Sequence, residues 1–125
     1  MTPLTLIGLF FCHFLADFTP LSTKEMLSAK RFGTPLIPIA AHAAVHGILM
    51  FFFLLLFGVD IELAMNLWLF QIATHFLIDL LKGKLNFWFP IFQDNTNKAH
   101  WMLFGFDQFL HAVVIILMAY YLTLN

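Results

Sequence analysis

The chain is apolar for most of its length, and its polar residues gather in a few short stretches. Four long apolar segments result: about 3–18, stopped at Pro20; 36–57, stopped at Gly58; 61–81, stopped at Lys82-Gly83-Lys84; and 101–124. None alternates with period two, and backbone groups in hydrocarbon must find partners within their own segment, so all four predict helices rather than strands. The last three have roughly the 20 residues needed to cross a bilayer. The first is short, and is expected either to run past Thr19 or to sit where the bilayer thins. Thr2 is placed to cap it and Pro3 suits its first turn. The start, MTPLTLIGLFFCHF, lacks the basic n-region of a secretory signal and reads as a retained helix.

The connections differ in character. LSTKEMLSAKRFGTP predicts a short amphipathic surface helix capped by Ser22 or Thr23, with Glu25 in its first turn. NFWFPIF contains Pro90 and puts Trp88 at headgroup level, and QDNTNK reads as a turn or cap.

Composition supports a membrane setting. Of 125 residues, 62% are hydrophobic, 17 are Phe and only 10% are charged, whereas soluble domains are about half apolar and a quarter charged. A soluble body this small has too little interior to hide such a surface. The reading is one integral membrane domain over residues 1–125, an all-α bundle of four transmembrane helices. A net charge of -1 gives no reason to expect nucleic acid, and Cys12 alone forms no disulfide framework. All six basic residues (Lys24, Lys30, Arg31, Lys82, Lys84 and Lys98) lie between segments one and two or three and four, while the remaining loop carries Asp60 and Glu62. The positive-inside rule then puts the basic connections in the cytoplasm and both termini on the other side.

Against this background the buried polar residues stand out. HFLADF supplies His13 and Asp17, HAAVH supplies His42 and His46, HFLIDL supplies His75 and Asp79, and DQFLH supplies Asp107 and His111. Each pair is spaced i, i+4, which puts both members on one helix face. At 1.5 Å per residue, Asp17 and Asp79 fall about 5 Å from the cytoplasmic helix ends, His13, His42, His75 and Asp107 about 10 Å, and His46 and His111 about 15 Å. The repeated spelling suggests two copies of a helical hairpin in parallel orientation, with the cluster between them.

Five imidazoles and three carboxylates match the ligand preferences of divalent zinc, manganese, iron or cobalt. The expected cofactor is one or two divalent ions, zinc or manganese first, held among His13, Asp17, His42, His46, His75, Asp79, Asp107 and His111. No Lys or Arg lies within the apolar spans to neutralise the carboxylates, which favours a metal or protons. A metal acidifies water, so the leading function is a metal-dependent hydrolase acting on a lipid or its headgroup. Asp17 or Asp79 would serve as catalytic base or as a carboxylate behind the ligands. Lys24, Lys82 or Lys84 would attract a phosphate. Membrane lipids are the expected partners, and self-association is open. The alternatives are a metal-ion or proton transporter, with Asn66, Gln71 and Thr74 continuing the path, and a structural accessory subunit whose polar cluster only orients helices. His100, beside Lys98 and Trp101, reads as interfacial or substrate-side. The Phe residues read as lipid-facing or packing.

At HFLADF, HAAVHG, HFLIDLLKGKL and DQFLH the chain resembles an uncharacterised bacterial and phage membrane family, domain of unknown function 3307, over nearly its whole length. The family's motifs fall here on His13 and Asp17, on His42, on His75 with Asp79 and Lys82, and on Asp107, Gln108 and His111. The resemblance implies a bacterial inner-membrane location and the grouping of these residues, and it carries no activity. One departure is Leu21, near where many members have a glutamine.

Overall fold

Each long helix turns one ridge of residues, spaced mostly by four, toward the others. In the computed structural model, which describes residues 2–125, the chain forms α1 (Pro3–Phe18), α2 (Lys24–Phe32), α3 (Leu36–Leu56), α4 (Ile61–Trp88), a 3-10 helix (Pro90–Gln93) and α5 (Lys98–Thr123). Among the described residues there is no strand. The buried ridges include Gln71, His75, Asp79 and Gly83 on α4, and Leu103, Asp107, His111, Ile115 and Ala119 on α5. A step of four nearly closes one helical turn, so such a ridge stays on one face.

Three helices, α3, α4 and α5, are long and apolar enough to cross a membrane. α1 has 16 residues and is shorter. Large apolar side chains cover the outside, with Ile37 83% and Leu56 84% exposed, a surface suited to lipid rather than water. α1 packs on α3 and α5, and α4 packs on the same two. The α1–α3 and α4–α5 pairs therefore face each other across the bundle axis.

Two boundaries differ from expectation. α4 does not stop at Lys82-Gly83-Lys84 but continues to Trp88, and α5 begins at Lys98, ahead of Trp101. Lysine is a good helix former and one glycine costs only about 1 kcal/mol, so the charged tripeptide does not end the helix. Pro90 does, through the restricted backbone of Phe89 before it. Asn97 starts α5 by accepting from the Ala99 amide at 2.9 Å. The polar pairs on these helices consequently lie deeper from their helix ends than the simple layering predicts. Asp79 and Asp107 are each about 14 Å in.

α2 is capped by Thr23, whose hydroxyl accepts from the Met26 amide at 3.2 Å, and it ends at Gly33 in the left-handed conformation (φ 72°). It is more than a surface helix. It packs on α3 and α4, and at Gly83 the two backbones nearly touch. A Cβ there would lie 2.4 Å from the Gly33 nitrogen and 2.6 Å from the Lys30 carbonyl oxygen. Only glycine permits this approach, which brings the Lys30 backbone against α4.

Candidate metal centre

The bundle interior divides sharply along its length. One half is an apolar layer of Leu9, Met50, Leu54, Ala64, Leu67, Val114, Ile115, Met118 and Ala119. The other half holds all eight predicted site residues. Three sets of ligand atoms each lie within 4.8 Å of one another: Asp17, His42, His46 and His75; His13, His75 and His111; and Asp79, Asp107 and His111. His75 and His111 each belong to two sets and join them into one cluster.

Within the sets the polar atoms lie at hydrogen-bond or ion-pair distance from one another, close enough to converge on one cation. Asp17 Oδ1 lies 2.8 Å from His42 Nε2 and 3.0 Å from His46 Nε2, and the two nitrogens are 3.3 Å apart. Asp17 Oδ2 lies 3.2 Å from His13 Nε2. Across the cluster, Asp79 Oδ2 is 3.1 Å from His75 Nε2, Asp79 Oδ1 is 3.3 Å from His111 Nε2, and Asp107 Oδ1 is 3.4 Å from the same nitrogen. Ligands about 2.0–2.2 Å from one tetrahedral ion stand about 3.3–3.6 Å apart, so small movements of these side chains would admit an ion. The rings stack closely too, with His46 and His75 centroids 3.6 Å apart and His75 and His111 centroids 4.2 Å apart. Five imidazoles this close would repel one another if all were protonated. A neutral ring meets a carboxylate oxygen by donating its one N–H, here from Nε2, which leaves Nδ1 as the lone-pair atom. The Nδ1 atoms of His13, His42, His46 and His75 are buried without a protein partner, so these rings direct their polar contacts into the centre.

One expectation is corrected here. The sequence places no basic residue in the apolar spans, yet the centre does contain a protein cation. Lys30 enters from α2, outside the spans, with Nζ 3.4 Å from Asp17 Oδ1, 3.2 Å from His42 Nε2 and 3.9 Å from Asp79 Oδ1. Burial disfavours its ammonium, but Asp79, Asp17 and Asp107 outweigh that and hold its pKa above the ordinary lysine value. Lys82 provides a second cation, 3.5 Å from Asp107 Oδ2, and its ammonium also lies over the Phe104 ring at 5.2 Å. Gln108 ties two residues together, with its amide nitrogen 3.0 Å from Asp107 Oδ2 and its Oε1 3.3 Å from His13 Nε2. Nothing in the local pattern marks Lys30, because its role depends on α2 folding back onto α4. Gln108 was legible only as part of the resemblance.

A cavity of about 380 Å³ adjoins the centre. Its lining includes Asp17, Lys30, Lys82, Asp107, Gln108 and Trp101. His100 also borders it. Its Nδ1 lies 2.7 Å from the Phe92 carbonyl oxygen, so it pins the 3-10 helix to α5. Gln93 donates to the Asn86 carbonyl at 2.7 Å and closes the same corner. Lys24 is exposed on α2, away from this lining.

Helices of membrane length around a buried His/Asp centre describe the class of this protein. The chain belongs to the family described as "Protein of unknown function (DUF3307)", whose model matches residues 5–125. No curated protein and no solved structure matches it.

Proposed function

We propose that the protein is a four-span protein of a bacterial inner membrane whose His/Asp cluster binds divalent metal and hydrolyses a lipid or its headgroup. In this reading α1, α3, α4 and α5 cross the bilayer, and both termini lie on the non-cytoplasmic side. The basic residues Lys24, Lys30, Arg31, Lys82, Lys84 and Lys98 all sit at or beyond the end of the bundle that holds the centre, and Asp60 and Glu62 sit at the other, which supports this orientation.

The observation that carries the reading is one-sided access. The centre meets a cavity at the basic end and is backed by the apolar layer of Leu9, Met50, Leu54, Leu67, Ile115 and Met118. A conducting path needs polar groups or water through both halves of the membrane, whereas a hydrolase needs one entrance at the depth of a lipid headgroup. Bound metal would supply acidified water. In this reading Asp17, which lines both the centre and the cavity, would take a proton from a molecule entering there, with Asp79 the deeper alternative. Lys82 offers positive charge at the entrance. The competing reading, a metal or proton path, rests on Gln71. It is buried one turn beyond His75 with its carbonyl oxygen unpartnered, and it extends the polar ridge toward the far side.

The test is metal content of detergent-purified protein by mass spectrometry, beside a His75→Ala/Asp79→Ala double variant, followed by incubation with a panel of bacterial lipids. Metal lost in the double variant together with metal-dependent lipid cleavage is expected. Metal bound without cleavage, but with uptake in proteoliposomes, would replace the hydrolase with transport. No metal after reloading would leave a structural polar core.

A further inference from the structure

The cluster has two poles, and they are not equivalent. At the α1–α3 pole, Asp17 is saturated. Its oxygens meet His13, His42, His46 and the Lys30 ammonium, all within 2.8–3.4 Å. Lys30 Nζ sits over the Asp17–His42 edge, the position from which a metal would be bound by Asp17, His42 and His46. At the α4–α5 pole the situation is reversed. His75 Nε2, Asp79 Oδ2 and Asp107 Oδ1 are buried and make no aligned hydrogen bond; their near contacts are the ion pairs Asp79 Oδ2–His75 Nε2 at 3.1 Å and Asp107 Oδ1–His111 Nε2 at 3.4 Å, and the nearest ammonium to Asp79, Lys30, is 3.9 Å away on Oδ1. These are lone-pair atoms, or can be, and native structures rarely leave such atoms unmatched. The cation at this pole, Lys82, is 3.5 Å from the other Asp107 oxygen, Oδ2, and leaves Oδ1 facing inward toward His111.

Charge gives the same division. Three carboxylates against two ammoniums leave one negative charge in a largely buried site. One divalent ion carrying a hydroxide would bring the total to neutrality. A second ion would leave a large positive excess, which a low-dielectric interior resists.

We infer that the centre holds one metal ion, ligated at the α4–α5 pole by His75, Asp79, Asp107 and His111, and that Lys30 is a resident protein cation occupying the place of a second metal at the α1–α3 pole. This rests on the metal-binding reading above and deepens it. Lys30 and a metal at Asp17, His42 and His46 exclude one another, because Nζ, 3.4 Å from Asp17 Oδ1 and 3.2 Å from His42 Nε2, stands where the ion would have to sit and repels it. His42 and His46 then serve to hold Asp17 and Lys30 rather than the ion. Asp17, freed from ligation, remains at the cavity wall paired with Lys30.

The experiment is Zn²⁺ titration of the purified, metal-stripped full-length protein, with bound ion counted by native mass spectrometry. The wild-type chain should bind about one tight Zn²⁺ and Lys30→Met about two, the second completing a site of three or four protein ligands. Because Lys30→Met can unfold the chain, two further variants are read in parallel. Asp107→Asn should weaken the single wild-type site about 10-fold or more, while His46→Ala should leave it within about 3-fold. Two tight ions in the wild type would overturn this inference and leave the metal reading standing, as would loss of the single ion in His46→Ala but not in Asp107→Asn. Failure of every form to bind Zn²⁺ would overturn both.

Discussion

The contact between α2 and α4 offers the sharpest test of how the centre is assembled. Replacing Gly83 with Ala puts a methyl group 2.4 Å from the Gly33 nitrogen and 2.6 Å from both Gly33 Cα and the Lys30 carbonyl oxygen. All three are backbone atoms, so no rotamer change relieves the overlap, and α2 must retreat by about 1 Å to reach ordinary contact. Overpacking of this kind costs about 1–3 kcal/mol, offset by about 0.5–1 kcal/mol because alanine favours a helix interior more than glycine does. A net loss of about 1–2 kcal/mol follows. Gly105 on α5 is the control, because a Cβ there meets nothing within 4 Å. Gly105→Ala should therefore gain about 0.5–1 kcal/mol. Thermal unfolding of both variants in one detergent should separate them by about 2 kcal/mol. The retreat of α2 also opens the 3.4 Å Lys30–Asp17 contact, so acylation of Lys30, followed by peptide mass spectrometry, should be faster in Gly83→Ala than in the wild type. Equal unfolding temperatures, with Lys30 equally protected, would refute the idea that this close approach positions the lysine.

Four further outcomes are expected. Gln108→Leu removes the link between His13 and Asp107 and should weaken Zn²⁺ binding about 10- to 100-fold; an unchanged titration would count against a supporting role. Leu54→Ala, fully buried in the apolar layer, should destabilise by about 2 kcal/mol, near the low end of the range for such truncations because lipid is as apolar as the core. Its metal stoichiometry should not change, and lost metal would show that the two halves of the bundle are not independent. Chelation should lower the unfolding temperature of the wild type and leave the His75→Ala/Asp79→Ala variant unmoved, since only a form that binds metal is stabilised by it. Lys24→Cys and Glu62→Cys, both at exposed positions, should label from opposite sides of sealed vesicles. Labelling from one side would remove the proposed orientation.

The hydrophobic pattern was enough to determine the helical class, the cores of the long helices and their turns of polar residues. Those features are local: a period near four, a cap at Thr2 and a stop at Pro20 act within one or two turns. The i, i+4 pairs also made the eight cluster residues legible, because apolar neighbours leave a buried carboxylate conspicuous and helical geometry allows the pair only one shared face. The boundary at Lys82-Gly83-Lys84 misled because charge and glycine usually mark an end. Here the glycine is an internal contact, and only the packing of α2 explains it. Lys30 was invisible for the same reason. On its own short helix it is one of several solvated basic residues, and it becomes the neutralising cation only after α2 folds across Gly83. The sequence by itself therefore determined which side chains are too polar for their surroundings, since that follows from transfer free energy along the chain. The tertiary structure decided which of them meet, which pole is already neutralised and which atoms remain unpartnered, since electrostatic energy depends on distances between helices that no local pattern encodes.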